Sequence, residues 1–512
     1  EFTWQKPILV TANLHRSSSG PVIDELTCRS SFLDVTAQGT PSEGTAVVRG
    51  DLHQLATDAG RFIDLTGYQI AGRIDGNVRW QRSRDDQVAA DGKLKLNDFE
   101  LSTSGQQPWR ERELTLDLAG AAALQGGQIQ RILSASVQVH SGSDVLKTDL
   151  LQPVATIGPA TAWPLGFKAT GNLATWLPRL RPFVPVGDRR LAGNINLDAT
   201  ARVSAQKVDA DSVKLQIDEF QSREWDMVID EPTVRLDAQG TWDAVLGRVT
   251  AQDVAMTSST VAFRAQQVVL QLPSTGPMVS GKLTYRADVG RLGQWLQTPG
   301  KVATEQLTGA VTGSLEATHE AGVTQVSWNS DAENLVYAAR RTSPSPAGPA
   351  LAAASSPWEE VWREPKVKLT SRERYDHQRD VLEIQELTAT GNSLRLVAAG
   401  RIEQWSGRRQ AELSGEVDYD WADVSAKLRP YLGSSIQITG RDKGRFALTG
   451  PLRELPSQLG QAPAPGRPVS GSYAGPGGAE FLLTSATSPV SAAQGVVPTD
   501  LAGSARVGWE SG

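Results

Sequence analysis

The residues of this chain best suited to acid–base or metal chemistry are five histidines, and they stand far apart, at His15, His53, His140, His319 and His377. No two have the short spacing at which a helix or hairpin presents a pair of imidazoles to a metal ion. Cys28 is alone, so no internal disulfide forms and the redox compartment stays open. No glycine loop leads into Lys-Ser or Lys-Thr, as phosphate cradling requires, and no Gly-x-Ser-x-Gly elbow exposes a serine. The adjacent carboxylates Asp85–Asp86 and Glu359–Glu360 sit in polar, loop-like segments and read as solvated surface. The expectation is a protein that is no enzyme, with no catalytic, cofactor-binding or metal-ligating residues.

What does recur is structural punctuation. Asp51, Asn172, Asp288 and Asp420 each open a short apolar-patterned stretch, and the glycine of an aliphatic-x-Gly triplet follows at Gly72, Gly193, Gly309 and Gly440. The cap-to-glycine distances are 21, 21, 21 and 20 residues, and successive glycines are 121, 116 and 131 apart. Repeats this long exceed the roughly 20–50 residues of common solenoids, so each unit must hold many strands. A second element, Glu-x-x-(Leu/Val)-x-Leu, recurs as Glu111–Leu116, Glu231–Leu236 and Glu364–Leu369. Its first aliphatic follows the glycine by 42, 41 and 58 residues, and the excess in the third copy matches the Pro/Ala/Ser-rich tract 342–357, which reads as a loop insertion. The units expected are a partial one at 1–50, then 51–171, 172–287, 288–419 with that insertion, and an incomplete 420–512 carrying a Pro/Gly-rich segment at 451–478.

Between these marks the pattern is one of short strands. Aliphatics alternate with polar residues, as in Leu114, Leu116, Leu118 or Val213, Leu215, Ile217, so one sheet face is apolar and the other wet. Antiparallel sheets tolerate this because one side can face water. The glycines fall on the apolar side, and the residues expected to line it as a groove are Ile70, Gly72, Ile74, Val78, Leu191, Gly193, Ile195, Leu307, Gly309, Val311, Ile438 and Gly440. A glycine inside a strand marks a bend where a helix docks, or leaves room for a ligand chain along the face. In the fourth copy Asp442 intrudes on that face, so the sheet either opens to water there or a cation such as Arg441, Lys443 or Arg445 compensates. An interruption or widened mouth is expected near residues 440–478.

Composition supports a large all-β chain without one large core. Of 512 residues only 39% are hydrophobic, while 48 Gly and 28 Pro supply turns. A net charge of −6 with interspersed signs argues against a nucleic-acid surface. The basic cluster Arg179, Arg181, Arg189 and Arg190 reads as a solvated helix end. The capped segments carry one apolar stripe with no Lys/Arg-rich face, which suits covering a sheet better than binding a membrane. In the second of them Pro178 and Pro182 are expected to break or shorten the helix. Trp109, Trp176, Trp242, Trp295, Trp362 and Trp421 are expected to be packing anchors. No apolar run approaches the ~18 residues that span a bilayer. The start at Glu1 and the triplet Leu501-Ala502-Gly503 near the end suggest a piece of a longer protein.

Stretches such as Gly171–Leu197 (GNLATWLPRLRPFVPVGDRRLAGNINL) and Leu382–Ile402 (LEIQELTATGNSLRLVAAGRI) resemble the AsmA-like proteins, the group that includes the translocation and assembly module TamB. The resemblance is one of pattern over essentially the whole chain. It implies an elongated, mainly antiparallel β-groove with short helices, a taco-like series of sheet panels with a hydrophobic inner face. It further implies a periplasmic protein tethered to the inner membrane by an anchor outside this segment. Phospholipid acyl chains would be its cargo, in transport between membranes or outer-membrane biogenesis, with outer-membrane assembly proteins as possible partners. Two other functions fit an all-β repeat array. One is a secreted, adhesin-like stalk with a packed interior, and the other is a scaffold that holds proteins by strand addition.

Overall fold

The computed structural model describes residues 8–18, 20–59, 67–83, 86–103, 107–126, 128–155, 158, 161–182, 190–224, 227–271, 278–297, 303, 305–340, 357–407, 409–420, 441–451, 470–474, 480–484 and 506–507. The chain divides into two compact halves, Glu1–Ser259 and Thr260–Gly512. Both are built almost wholly from antiparallel strands, and from β1 to β14 and from β15 to β23 each pairs with the next in sequence wherever a pairing is described.

The N-terminal half runs β1 (Leu9–Ser17), β2 (Gly20–Arg29), β3 (Leu33–Gly39), β4 (Glu43–Asp51), α1 (Leu52–Ala59) and β5 (Tyr68–Arg82). It continues with β6 (Gln87–Thr103), β7 (Trp109–Gln125), β8 (Gln128–Ser141), β9 (Asp144–Leu150), β10 (Trp163–Asn172) and α2 (Leu173–Leu180). It ends with β11 (Arg190–Val203), β12 (Lys207–Glu224), β13 (Met227–Asp243) and β14 (Arg248–Thr257). Within this half β1 pairs with β2 and β14 with β13, and neither pairs with the other, so the sheet does not close into a barrel.

The C-terminal half holds β15 (Val261–Gln271), β16 (Met278–Asp288), α3 (Val289–Trp295), β17 (Glu305–Glu320), β18 (Val323–Arg340) and β19 (Trp358–Asp376). After them come β20 (Val381–Thr390), β21 (Leu394–Glu403), β22 (Gln410–Asp420) and β23 (Arg441–Pro451). Two short strands, β24 (Ser470–Ala474) and β25 (Glu480–Thr484), form a separate hairpin, and β26 (Arg506–Val507) pairs with β23. Six strands separate α1 from α2, and six separate α2 from α3. The tract 342–357 falls between β18 and β19.

Side chains that bond their own backbone close many of the hairpins. Thr40 Oγ1 accepts from the N–H groups of Ser42 and Glu43, and Asp243 Oδ1 from those of Val245 and Leu246. The helices are capped as their sequence predicts. Asp51 accepts from the Gln54 N–H at 3.0 Å, Asn172 from that of Ala174 at 2.9 Å, and Asp288 from that of Arg291 at 2.9 Å. The stretch that Asp420 would cap lies outside the described residues. Pro178 does not break α2. The helix continues for two residues past it, to Leu180, and ends before Pro182.

Candidate functional site

In an antiparallel pair, directly opposed residues share a face, so a row of partners can be followed from strand to strand. Across the N-terminal half, such a row reads Val10, Cys28, Val35, Val48, Gly76, Leu94 and Leu116. It goes on through Val139, Leu146, Ala169, Leu197, Leu215, Leu236 and Met256. Every one of the fourteen strands contributes, and no position is charged. Its Leu and Met members are all half-buried. A second sheet or layer of helices laid over this row would seal such side chains, so the face is only partly covered by protein.

The opposite face is charged. Lys93, Asp117, Gln138, Lys147, Lys168, Asp198, Lys214 and Asp237 form a parallel row, with Lys93–Asp117 at 3.6 Å and Lys168–Asp198 at 3.4 Å. Such exposed pairs contribute little stability. Lysines and aspartates are mixed along the row, with Lys147 and Lys168 the one adjacent like-charged pair, so no basic stripe forms.

In the C-terminal half the apolar face is interrupted by polar groups. A row there runs Ala265, Leu283, Leu315, Trp328, Ser371, Leu387, Ala398, Gly415 and Phe446. Its neighbour passes Tyr285, Gly313 and Ser330, and the Trp328 indole donates to the Tyr285 hydroxyl at 2.7 Å over Gly313. The Ser371 hydroxyl donates to Glu373 at 2.8 Å. Leu382, Ile402 and Ala411 form a small buried cluster against Tyr375, Ile384 and Leu413.

The repeated glycines are bulge residues. Gly72, Gly193 and Gly309 have φ of +130°, +138° and +136°, and each sits across from a non-glycine in the left-handed region, Asp98, Glu219 and Asn334. A Cβ at Gly193 would lie 3.0 Å from the Asp218 carbonyl oxygen and 3.2 Å from Phe220 Cα. Two residues of the partner strand thus oppose one glycine, which bends the sheet where the preceding helix docks. Accordingly α1 packs on β5, α2 on β11 and α3 on β17.

The same bulges explain the Glu-x-x-Leu element. An i, i+3 pair in a regular strand points to opposite faces, yet Glu111 and Leu114 are both screened while Arg112 and Glu113 between them are exposed. Pro365 and Lys366 repeat this phase shift between Glu364 and Val367. The glutamates are buried acceptors that tie down a downstream turn. Glu111 Oε2 accepts from Ser141 Oγ at 2.8 Å, Glu231 Oε2 from the Ser259 hydroxyl at 2.6 Å and its N–H at 3.0 Å, and Glu364 Oε2 from Ser393 Oγ at 3.2 Å. Those turns in turn hold helix starts. Before α1, α2 and α3 the Asp51 N–H donates to the Phe32 carbonyl, that of Asn172 to Asp144 and that of Asp288 to the Thr260 carbonyl, all at 2.9–3.0 Å, and the Asp420 N–H donates in the same way to the Ser393 carbonyl, next to residues that lie outside the described ones.

At α2 the junction is ionic. Arg179 is buried, with its Nε 2.5 Å from Glu111, one terminal nitrogen 2.7 Å from Asp144 and the other 3.0 Å from Ser141 Oγ. This corrects the reading of Arg179 as a solvated helix end. Its charge is drawn inward by two carboxylates on β7 and β9 that sequence distance hides. Arg190 is exposed, Arg181 bonds Gln107, and Arg189 lies outside the described residues. Burial pushes the Glu111 carboxyl up, but hydrogen bonds from Arg179, Trp109 and Ser141 and the guanidinium charge outweigh it, leaving the pKa below the ordinary value. Asp144 is lowered in the same way by Thr175, the Asn172 N–H and Arg179 acting against burial.

Of the residues expected to line a groove, Ile74 stands in a row with Gly50, Leu96 and Leu114, and Val78 lies between Ala46 and Gly92. Ile195 lies between Gly171 and Ile217, and Val311 between Ala287 and Ala332. All four are half-buried. Ile70 faces Leu101, Leu191 faces Ser222, and Leu307 faces Tyr337 with 38% of its surface exposed. Ile438 and Gly440 lie outside the described residues. Asp442 opposes Tyr419 in a β22–β23 pairing that runs without a register shift from Asp420 to Gln410, so the sheet is uninterrupted over Arg441–Pro451. Residues 452–469 lie outside the described ones.

Among the tryptophans, Trp109 packs edge-on against Phe99 and Trp362 stacks on Tyr337. Trp242 is half exposed at the β13–β14 turn and is no anchor. Trp421 is outside the described residues. Among the described residues the sequence-scattered His319 and His377 come together, with ring centroids 5.2 Å apart. Asp86 pairs with Arg82 and Glu360 with Arg363 at the surface. No protein-family model matches the sequence, and no curated protein matches it.

Proposed function

We propose that this chain offers its apolar sheet face to phospholipid acyl chains and guides them between two membranes of a cell envelope, as the resemblance to AsmA-like proteins implies. The observation that carries the reading is the row from Val10 to Met256, apolar on every strand and half-buried at each Leu and Met. Each CH₂ moved from water onto such a face contributes about 0.8 kcal/mol. Aliphatic contacts have no direction, so a bound chain slides along the row without breaking hydrogen bonds. Head groups stay in water beyond the sheet edge. A packed stalk would bury these leucines, and their partial exposure weighs against that alternative.

On this reading the protein works in the periplasm, tethered to the inner membrane, and serves outer-membrane biogenesis beside assembly proteins there. No described helix is long and apolar enough to cross a membrane, so the tether would be another segment. The wet face, with its paired Lys and Asp, offers nothing to nucleic acid.

The test is native mass spectrometry and solvent extraction of the purified chain, followed by transfer of a fluorescent phospholipid between vesicles. Wild-type protein is expected to carry phospholipid. Ile195→Asp and Leu215→Asp, which set a carboxylate on the apolar face, are expected to lower occupancy at least about tenfold while the β-sheet signal persists. A wild-type chain free of lipid and inactive in transfer would overturn the proposal.

A further inference from the structure

His319 and His377 are 58 residues apart in sequence. They meet because β17, β18 and β19 pair in succession, which sets His319 opposite Thr324 and Thr324 opposite Tyr375. His377 follows in the turn after β19, where its backbone N–H donates to the Gly322 carbonyl at 3.1 Å. His319 Nδ1 lies 2.9 Å, and His377 Nε2 2.8 Å, from the same Thr324 Oγ1. One hydroxyl carries one hydrogen, so it donates to only one of these rings and the other must donate to it. The oxygen therefore marks a point on which two imidazole nitrogens converge.

We infer that this pair is a metal site, at which His319 Nδ1 and His377 Nε2 bind a divalent transition-metal cation of the imidazole-preferring group, Cu²⁺, Ni²⁺ or Zn²⁺. Bonds from such metals to imidazole are about 2.0–2.1 Å long, so the ion would sit beside the Thr324 hydroxyl, on the solvent side of it, with both rings turning from the hydroxyl to the metal. Water completes the shell, since among the described residues no group of three or more His, Cys, Asp or Glu gathers. The fixed charges nearby balance one another, so none bars a cation. The Asp376 carboxylate is fixed nearby by the N–H groups of Gln378 and Arg379 at 3.0 and 3.1 Å. Of the neighbouring arginines, Arg374 pairs with Glu383 and Arg379 with Asp376 itself. Cu²⁺ is expected to bind above Ni²⁺ and Zn²⁺.

The experiment titrates the 512-residue chain with Cu²⁺ and reads it by calorimetry and electron paramagnetic resonance. One tight equivalent with two nitrogens in its hyperfine pattern is expected. His319→Ala and His377→Ala should each weaken it at least about tenfold. His140→Ala should leave it unchanged, and Thr324→Ala, which removes the competing hydroxyl without filling its place, should retain or tighten it. A tight equivalent that survives in the His319→Ala/His377→Ala double variant overturns the assignment, as does a wild-type spectrum with a single nitrogen or no saturable binding. If either alanine variant fails to fold, the nitrogen count on the wild-type chain decides alone.

Discussion

Replacing Arg179 by alanine tests how α2 is held. The Arg179 side chain is 8% exposed, and its partners Glu111 and Asp144 are 16% and 4% exposed. Removing one partner of a buried ionic group while leaving the other costs about 3–5 kcal/mol. Here Trp109, Ser141, Thr175 and the Asn172 N–H still donate to the stranded carboxylates, so the low end, about 3 kcal/mol, applies. That is a large share of the roughly 5–15 kcal/mol of a typical domain. For a folded body of this size it corresponds to a melting point lower by about 6–12 °C. Both carboxyls have pKa values lowered by folding, so in the wild type their stabilisation is complete above the ordinary carboxylate value of about 4. It is lost as pH falls through the lowered folded values. Without Arg179 the opposing effect of burial is less outweighed, so the gap between variant and wild type is widest at pH 7 and narrows on acidification. Urea unfolding followed by circular dichroism between pH 7 and about pH 2 reads this directly. A triple variant, Arg179→Met with Glu111→Gln and Asp144→Asn, should recover most of the loss. An Arg179→Ala chain within about 1 kcal/mol of wild type at pH 7, or a gap that stays constant with pH, would refute the reasoning.

The bulge glycines and the buried glutamates make separate predictions in the same assay. Gly193→Ala, at φ +138° with backbone atoms at 3.0 and 3.2 Å from its new Cβ, should cost about 1–3 kcal/mol. Gly120→Ala, whose nearest neighbour is 3.4 Å away, should cost nothing, and equal losses at the two positions would remove the bulge argument. Glu364→Ala removes the carboxylate that accepts from the Asn392 N–H and the buried Ser393 hydroxyl and should cost about 1–3 kcal/mol. Glu364→Gln keeps one acceptor oxygen and should lose less. If the two variants were equally destabilised, acceptance by the carboxylate would not be what holds that turn.

Much of the fold was legible in the residues alone. The cap-to-glycine spacing located three helix starts, because a cap is satisfied within three residues of itself, as Asp51, Asn172 and Asp288 show. Period-two alternation identified the strands and sorted Leu94 from Lys93 and Leu215 from Lys214, since successive side chains of a strand point to opposite faces. The glycines announced a backbone that other residues rarely adopt, and the positive φ at Gly72, Gly193 and Gly309 is that backbone. The Glu-x-x-Leu repeat was visible too, but not its meaning. A glutamate recurring in register inside an apolar strand signals a buried acceptor only once the bulge on the neighbouring strand has shifted its phase.

Pairing between strands decided the rest. Which leucine follows which across the sheet, from Leu94 to Leu116 and from Leu197 to Leu215, is a matter of register. So is the encounter of Arg179 with Glu111 from 68 residues away, and so is the convergence of His319 and His377 on Thr324. Local hydrogen bonds and side-chain alternation depend on neighbours a few residues off, and the sequence carries them directly. Burial of an ion and convergence of two rings depend on strands brought together by the sheet, and only the tertiary structure holds that information.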